Sequence, residues 1–266
     1  MFENIIKNVH NRHPLIHCIT NYVSINDCAN IVLACGGAPI MAEDINEVSQ
    51  ITSICQGLDI NIGMLNDNKL SSMLKAGATA NELGIPVILD PVGAGSSDYR
   101  IKAVQNLMSN VQFGVIRGNV SEIKAIAAKQ GIHNISAGVY DTMQKDKSAM
   151  GVEAGIADKI TDDNIKEMAD FINKLSQKTG AVIAVTGRID MVADENRVYA
   201  IRNGHKMMSL VTGAGCQLSA LTSAYVAADK EHILESVCAA VSVMGISGEL
   251  AYLSLIHISE PTRPIS

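Results

Sequence analysis

Short apolar runs closed by Gly, Asn, Asp or Pro alternate along this chain with longer stretches whose apolar residues recur every three or four positions. The first kind reads as strands buried on both faces and the second as helices laid against them. Their alternation predicts βαβ units around a mostly parallel sheet. Predicted strands cover 15–19, 38–41, 59–62, 86–89, 114–116 and 181–185, and predicted helices 24–35, 68–83, 121–130 and 163–178. Gly36-Gly37 and Gly84 sit where helices should stop. Beyond Thr186 the pattern changes to two strands, 191–193 and 198–201, around the turn Asp194-Glu195-Asn196. They predict an antiparallel hairpin closing one sheet edge. Helices over 215–228 and 232–250 finish the pattern, giving an α/β fold of three layers.

No repeat, low-complexity tract or linker divides residues 1–253, which read as one domain. Residues 132–156 are polar and Gly-punctuated and read as a surface excursion. The tail 254–266 is atypical: Pro261 and Pro264 break any helix, and Ile256-His257-Ile258 does not continue the preceding period.

Composition narrows the function classes. The 21 Lys+Arg against 27 Asp+Glu give a net charge of −6, with no basic cluster to meet a phosphate backbone. Aromatic residues make up 3% of the chain, without Trp, so base-stacking platforms are missing as well; nucleic acid is not the expected partner. The amino terminus has no charged region followed by an apolar stretch, and no uninterrupted apolar run reaches the ~18–20 residues that span a bilayer. The expected location is cytoplasmic, without a membrane partner. Six cysteines with no C-x-x-C pair suit reduced thiols; five read as core residues, and Cys216 stands apart.

Three glycine-bearing turns fall where a strand should meet a helix. Asp90-Pro91-Val92-Gly93-Ala94-Gly95 puts a carboxylate at the C-terminal sheet edge, where open α/β folds place ligands. Arg117-Gly118-Asn119-Val120-Ser121-Glu122 offers a guanidinium, an approachable backbone and a carboxylate in a first helical turn. Thr212-Gly213-Ala214-Gly215-Cys216 opens a helix, so its amides converge on one point and favour an anion. Any one of them alone could be just a tight turn or a cap. Facing one sheet edge together, they would bring an anion hole, two carboxylates able to reach hydrated Mg²⁺ and an arginine into one cleft. Gly93-Ala94-Gly95 and Gly213-Ala214-Gly215 do not extend to a dinucleotide fingerprint, because Asp98 and Leu218 hold the third glycine position. No P-loop motif is present.

Ile19-Thr20-Asn21-Tyr22-Val23, Gly36-Gly37-Ala38-Pro39-Ile40-Met41-Ala42, Asn61-Ile62-Gly63, Leu89-Asp90-Pro91-Val92-Gly93-Ala94, Arg117-Gly118-Asn119, Ala184-Val185-Thr186-Gly187 and Val211-Thr212-Gly213-Ala214-Gly215-Cys216 together resemble the hydroxyethylthiazole kinases of the ribokinase-like superfamily. The resemblance runs from about His10 to Leu250. It implies ATP-dependent phosphorylation of 4-methyl-5-(2-hydroxyethyl)thiazole in thiamine biosynthesis, with Mg²⁺, a ribokinase-like fold and a homotrimer with sites near subunit interfaces. By the same resemblance Asn21, Met41 and Gly213 meet the thiazole, while Arg117, Asn119 and Thr186 hold ATP. Asp90 and Glu122 lie near metal and phosphates, and Gly213, Ala214, Gly215 and Cys216 form the catalytic turn. Cys216 stands where most of the superfamily has an aspartate. At a helix N-terminus its pKa is expected to fall, so that it orients and deprotonates the alcohol without forming a covalent intermediate. Three alternatives stay open: a related kinase for another alcohol such as hydroxymethylpyrimidine, a thiol enzyme with Cys216 as nucleophile, and a nucleotide sensor.

Overall fold

A computed structural model describes residues 2–132 and 159–258 of the chain. Most of the excursion expected at 132–156 lies outside the described residues. Eight strands form one sheet in the order β2-β1-β3-β4-β5-β6-β7-β8. They are β1 (Leu15–Ile19), β2 (Ala38–Ile40), β3 (Gly57–Asn61), β4 (Val87–Asp90), β5 (Val115–Asn119), β6 (Val182–Thr186), β7 (Asp190–Ala193) and β8 (Val198–Ile201). The first six run parallel, and β7 and β8 pair antiparallel at one edge, as the hairpin pattern predicts.

The described helices are α1 (Phe2–Arg12), α2 (Ile25–Ala34), α3 (Val48–Ile54), α4 (Asp67–Glu82), α5 (Asp98–Asn110), α6 (Val120–Lys129), α7 (Ile165–Thr179), α8 (Ala214–Ala228) and α9 (Ile233–Ile258). Of these, α1, α3 and α5 are additions to the predicted set. Helix α9 runs to Ile258, past the end expected at 250, since no proline interrupts it before Pro261. By length and composition Lys230–Ser254 could cross a membrane, but half of its most apolar window is buried, and α9 packs on α8 and α1 as a core helix.

Strand side chains alternate between two cores, which fixes what each face can carry. Leu58, Ile60, Val87, Leu89, Ile116, Ile183 and Val185 join one core with residues of α3 to α7. Ile16, Cys18, Ile88, Val115, Val182 and Ala184 join the other, with α1, α2, α8 and α9. Helix α8 lies in the middle of this second layer, and all of its residues from Leu218 onward are buried. Its small side chains let it approach β3 closely: a Cβ at Gly57 would stand 3.1 Å from Ala227 Cβ. Cys35 is only half-buried, while Cys18, Cys28, Cys55, Cys216 and Cys238 are buried, and all six are free.

Candidate active site

Parity along the strands assembles the site. Asp90 follows Ile88 by two residues, Arg117 follows Val115 and Thr186 follows Ala184, so all three side chains face the α8 layer. Asn61 pairs with Asp90 across β3 and β4, and Arg117 with Ala184 across β5 and β6. Asn61, Asp90 and Thr186 therefore end β3, β4 and β6, and Arg117 lies within β5, all on one face of neighbouring parallel strands. The N-terminus of α8 lies over them, since a Cβ at Gly215 would stand 2.8 Å from Arg117 Nη1.

Asp90 anchors this group. It is fully buried, and its Oδ2 accepts from Asn61 Nδ2 at 2.8 Å and Ser219 Oγ at 2.8 Å, with Arg117 Nη1 at 3.5 Å. Oδ1 is buried without a partner. Burial pushes its pKa up to about 6 against the pull of the Arg117 charge. Arg117 lies within β5 and not in the turn after it, so the strand holds its guanidinium in place. Its Nη2 donates to Thr186 Oγ1 at 2.8 Å, and its Nε is buried without a partner.

Asn119 and Glu122 form a capping box at the start of α6. Asn119 Oδ1 accepts from Glu122 N at 2.9 Å and from Ser121 Oγ at 2.8 Å. Glu122 accepts from Asn119 N at 2.8 Å through Oε2 and from Gly93 N at 2.8 Å through Oε1. The cap thus ties the β5–α6 turn to the glycine turn after β4.

Gly213 caps α8 at φ 79°, in the left-handed region where glycine is unstrained, and no side chain caps this helix. A Cβ there would stand 2.6 Å from Ser24 Cβ. The first amides of α8 have no acceptor within the helix, which leaves them to an incoming anion.

Cys216 is buried in the first turn of α8, and Asn21 Nδ2 reaches its Sγ at 3.4 Å. The expected fall in its pKa is not found. Burial raises it, the Asp90 charge adds to the rise, and the Ser24 and Asn61 side chains and the Arg117 charge offset only part. Desolvation of the thiolate is the largest of these effects.

Asn21 is half-buried between Cys216 and the backbone of Gly63, where a Cβ would meet its Nδ2 at 2.6 Å. Met41 is half-buried against the α8-side core. The next residue, Ala42, is held by buried His17, whose Nε2 lies 2.8 Å from the Ala42 carbonyl oxygen.

The structure thus brings Asp90, Arg117, Thr186 and the Gly213–Cys216 turn together, with Asn21 joined through Cys216. Asn61 and Ser219 belong to the same network and are not among the residues expected from sequence. Asn61 was within reach through strand parity, and Ser219 lies one helical turn beyond Cys216.

The sequence pattern of the hydroxyethylthiazole kinase family matches residues 6–162 and 151–255. The chain is similar to a hydroxyethylthiazole kinase of Clostridium acetobutylicum, 52% identical over 252 residues that cover 95% of this chain and 86% of the relative. One of Desulfovibrio desulfuricans is 41% identical, covering 96% and 84%. Among solved structures, the hydroxyethylthiazole kinase of Pyrococcus horikoshii superposes with a TM-score of 0.80 at 32% identity, covering 95% of this chain and 86% of that one. The ADP complex of Bacillus subtilis pyridoxal kinase, at 16% identity and a TM-score of 0.59 over 86% and 88% of the two chains, shares the fold.

Proposed function

This chain belongs to the hydroxyethylthiazole kinase family, and from that premise we propose that it moves the γ-phosphoryl group of ATP onto the primary alcohol of 4-methyl-5-(2-hydroxyethyl)thiazole, at the C-terminal edge of its sheet. One observation carries the reading: Asn61, Asp90 and Thr186 at the ends of their strands and Arg117 within β5 share one face beneath the N-terminus of α8, which no side chain caps, beside the Asn21–Cys216 contact.

Arg117 and Thr186 hold the nucleotide phosphates, with Asn119 keeping the neighbouring turn in shape through its cap. The amides at Gly213–Cys216 receive the migrating phosphoryl group, whose charge sits on its equatorial oxygens in a loose transition state. Asn21 and Met41 give the heteroaromatic acceptor one polar tether and an apolar wall. Because its thiol is neutral, Cys216 orients the hydroxyl, and the alcohol proton leaves late, as the new P–O bond forms.

Mg²⁺ accompanies ATP in this reading. Among the described residues no three His, Cys, Asp or Glu cluster as metal ligands, which suits an ion that keeps its waters and is held largely by phosphates. Asp90 fits it, with a buried Oδ1 lacking any partner. Glu122 already receives one backbone N–H on each oxygen, so it is the lesser ligand of the two. Held beside Asp90, such an ion would supply positive charge against that developing on the transferred phosphoryl group.

The assembly proposed is a homotrimer in the cytoplasm, with each site near a subunit boundary. Val23 at 65% and Leu210 at 78% exposure flank the loops of Asn21 and Gly213, where a partner would cover them. Light scattering at the elution peak tests the trimer. The activity is tested by ATP consumption with the thiazole alcohol, hydroxymethylpyrimidine and a sugar, each product identified by mass. A phosphorylated thiazole is expected, and phosphorylation of the pyrimidine alone would overturn the assignment.

A further inference from the structure

Lys69 sits in the first turn of α4, where a cation opposes the helix dipole, yet its side chain is only 2% exposed. Lysine is almost never buried unless it is paired. Its ammonium meets three groups. Nζ donates to the Thr20 carbonyl oxygen, lies 3.0 Å from Glu43 Oε2 and stands 4.5 Å from the centre of the Tyr22 ring. The Tyr22 hydroxyl in turn donates to Glu43 Oε1. Burial alone would raise the Glu43 pKa, but the bonds from Tyr22 and Lys69 outweigh it and hold the carboxyl below its usual range.

The partners of Lys69 come from two loops. Thr20 and Tyr22 flank Asn21, and Glu43 lies two residues after Met41. One buried cation thus joins the segment carrying the polar tether of the acceptor pocket to the segment carrying its apolar wall. None of these contacts reaches the side of Arg117 and Thr186.

We propose that Lys69, with Glu43 and Tyr22, is a positioning clasp for the acceptor alcohol, fixing the Asn21 loop against the Met41 loop and so setting affinity for the thiazole but not for the nucleotide. This rests on the reading of Asn21 and Met41 as acceptor residues. Lys69 touches no reacting atom. It acts through the two loops that its three donors hold together.

The test is steady-state kinetics of the full chain with each substrate varied in turn. Lys69→Met keeps the stem and removes the charge, and it is expected to raise KM for the thiazole alcohol by about 10-fold, with KM for ATP within about 2-fold. Glu43→Gln, at the more exposed end of the pair, is expected to raise the same KM by about 5-fold. The double variant should match Lys69→Met alone, because the two changes break one connection. Equal rises in both KM values, or additive effects in the double variant, overturn the clasp. If Lys69→Met does not fold, Glu43→Gln and Tyr22→Phe carry the test, and an unchanged thiazole KM in both overturns it. Asn21→Ala is the control on the underlying reading: if it leaves the thiazole KM unchanged, the pocket assignment fails. If it raises that KM while the Lys69 and Glu43 variants do not, the clasp alone fails.

Discussion

Asp59 lies in the polar layer beneath the site with its carboxyl fully buried in β3 and neither oxygen hydrogen-bonded. Burial raises its pKa well above the usual carboxylate range, and the Asp90 charge adds to the rise against the pull of Arg117. Folded Asp59 therefore keeps a proton that the unfolded chain, with an ordinary pKa of about 3.9, gives up. The unfolded state binds fewer protons, so stability falls as pH rises above that value, by about 1.4 kcal/mol per pH unit, until folded Asp59 itself ionises. Asp59→Asn keeps the shape and removes the titration. Its stability relative to the parent should therefore grow as pH rises above about 4, by about 1.4 kcal/mol per pH unit for as long as folded Asp59 keeps its proton. Asp90 and Asp190, each pushed up to about 6 by burial, tilt both curves alike and cancel in the difference. Asp59→Val also replaces the unpartnered polar atoms with methyl groups suited to a strand, adding about 1–3 kcal/mol at every pH. Urea unfolding midpoints of the three proteins at several pH values read both effects. If parent and Asn curves run parallel over this range, Asp59 is not held protonated in the fold and the reasoning fails.

Gly213→Ala places a side chain at φ 79° and within 2.6 Å of Ser24 Cβ, so it should lower kcat at least about 100-fold with a modest fall in melting temperature; near-parent kcat would refute the anion-hole role. Cys216→Ala should slow turnover strongly while calorimetry finds ATP binding nearly unchanged. With the thiol pKa raised, alkylation of Cys216 in the parent should stay slow through about pH 8, and a labelling midpoint below that would restore an ionised base. Asp90 ionises near pH 6, and only its charged form pairs with Arg117 and can assist a metal, so kcat/KM should fall as pH drops through about 6; a profile flat down to pH 5 would remove Asp90 from the mechanism.

Strand runs 15–19 and 198–201 were legible to the residue, the first because its apolar side chains are buried on both faces, the second, an edge strand with Tyr199 and Ala200 exposed, because the turn Asp194-Glu195-Asn196 marks its hairpin. Helices α1, α3 and α5 lie outside the predicted set. Helix α3, with seven residues, is too short to show a period, whereas α1, with Phe2, Ile5, Ile6 and Val9, and α5, with Ile101, Val104, Leu107 and Met108, carry three- and four-residue spacings that put them within reach of the pattern. The glycine turns do meet at one sheet edge, but local motifs could not separate a cap from a ligand: Glu122 closes a capping box and also receives Gly93 N. Parity carried more than motif. Once six strands are parallel, any polar residue two positions after an α8-side apolar residue at a strand end must join the same cluster, which selects Asp90, Arg117 and Thr186 from sequence alone. Lys69 and Asp59 escape such counting, because their neighbours come from loops and from a second layer. Nothing in Asn66-Asp67-Asn68-Lys69 says the lysine turns inward; the Thr20 carbonyl, the Tyr22 ring and Glu43, all more than twenty residues upstream, make that burial tolerable. The residues that join loops to one another are thus the least visible in sequence, and around the acceptor pocket proposed for the Asn21 and Met41 loops they are where specificity would be adjusted without touching the Gly213–Cys216 turn.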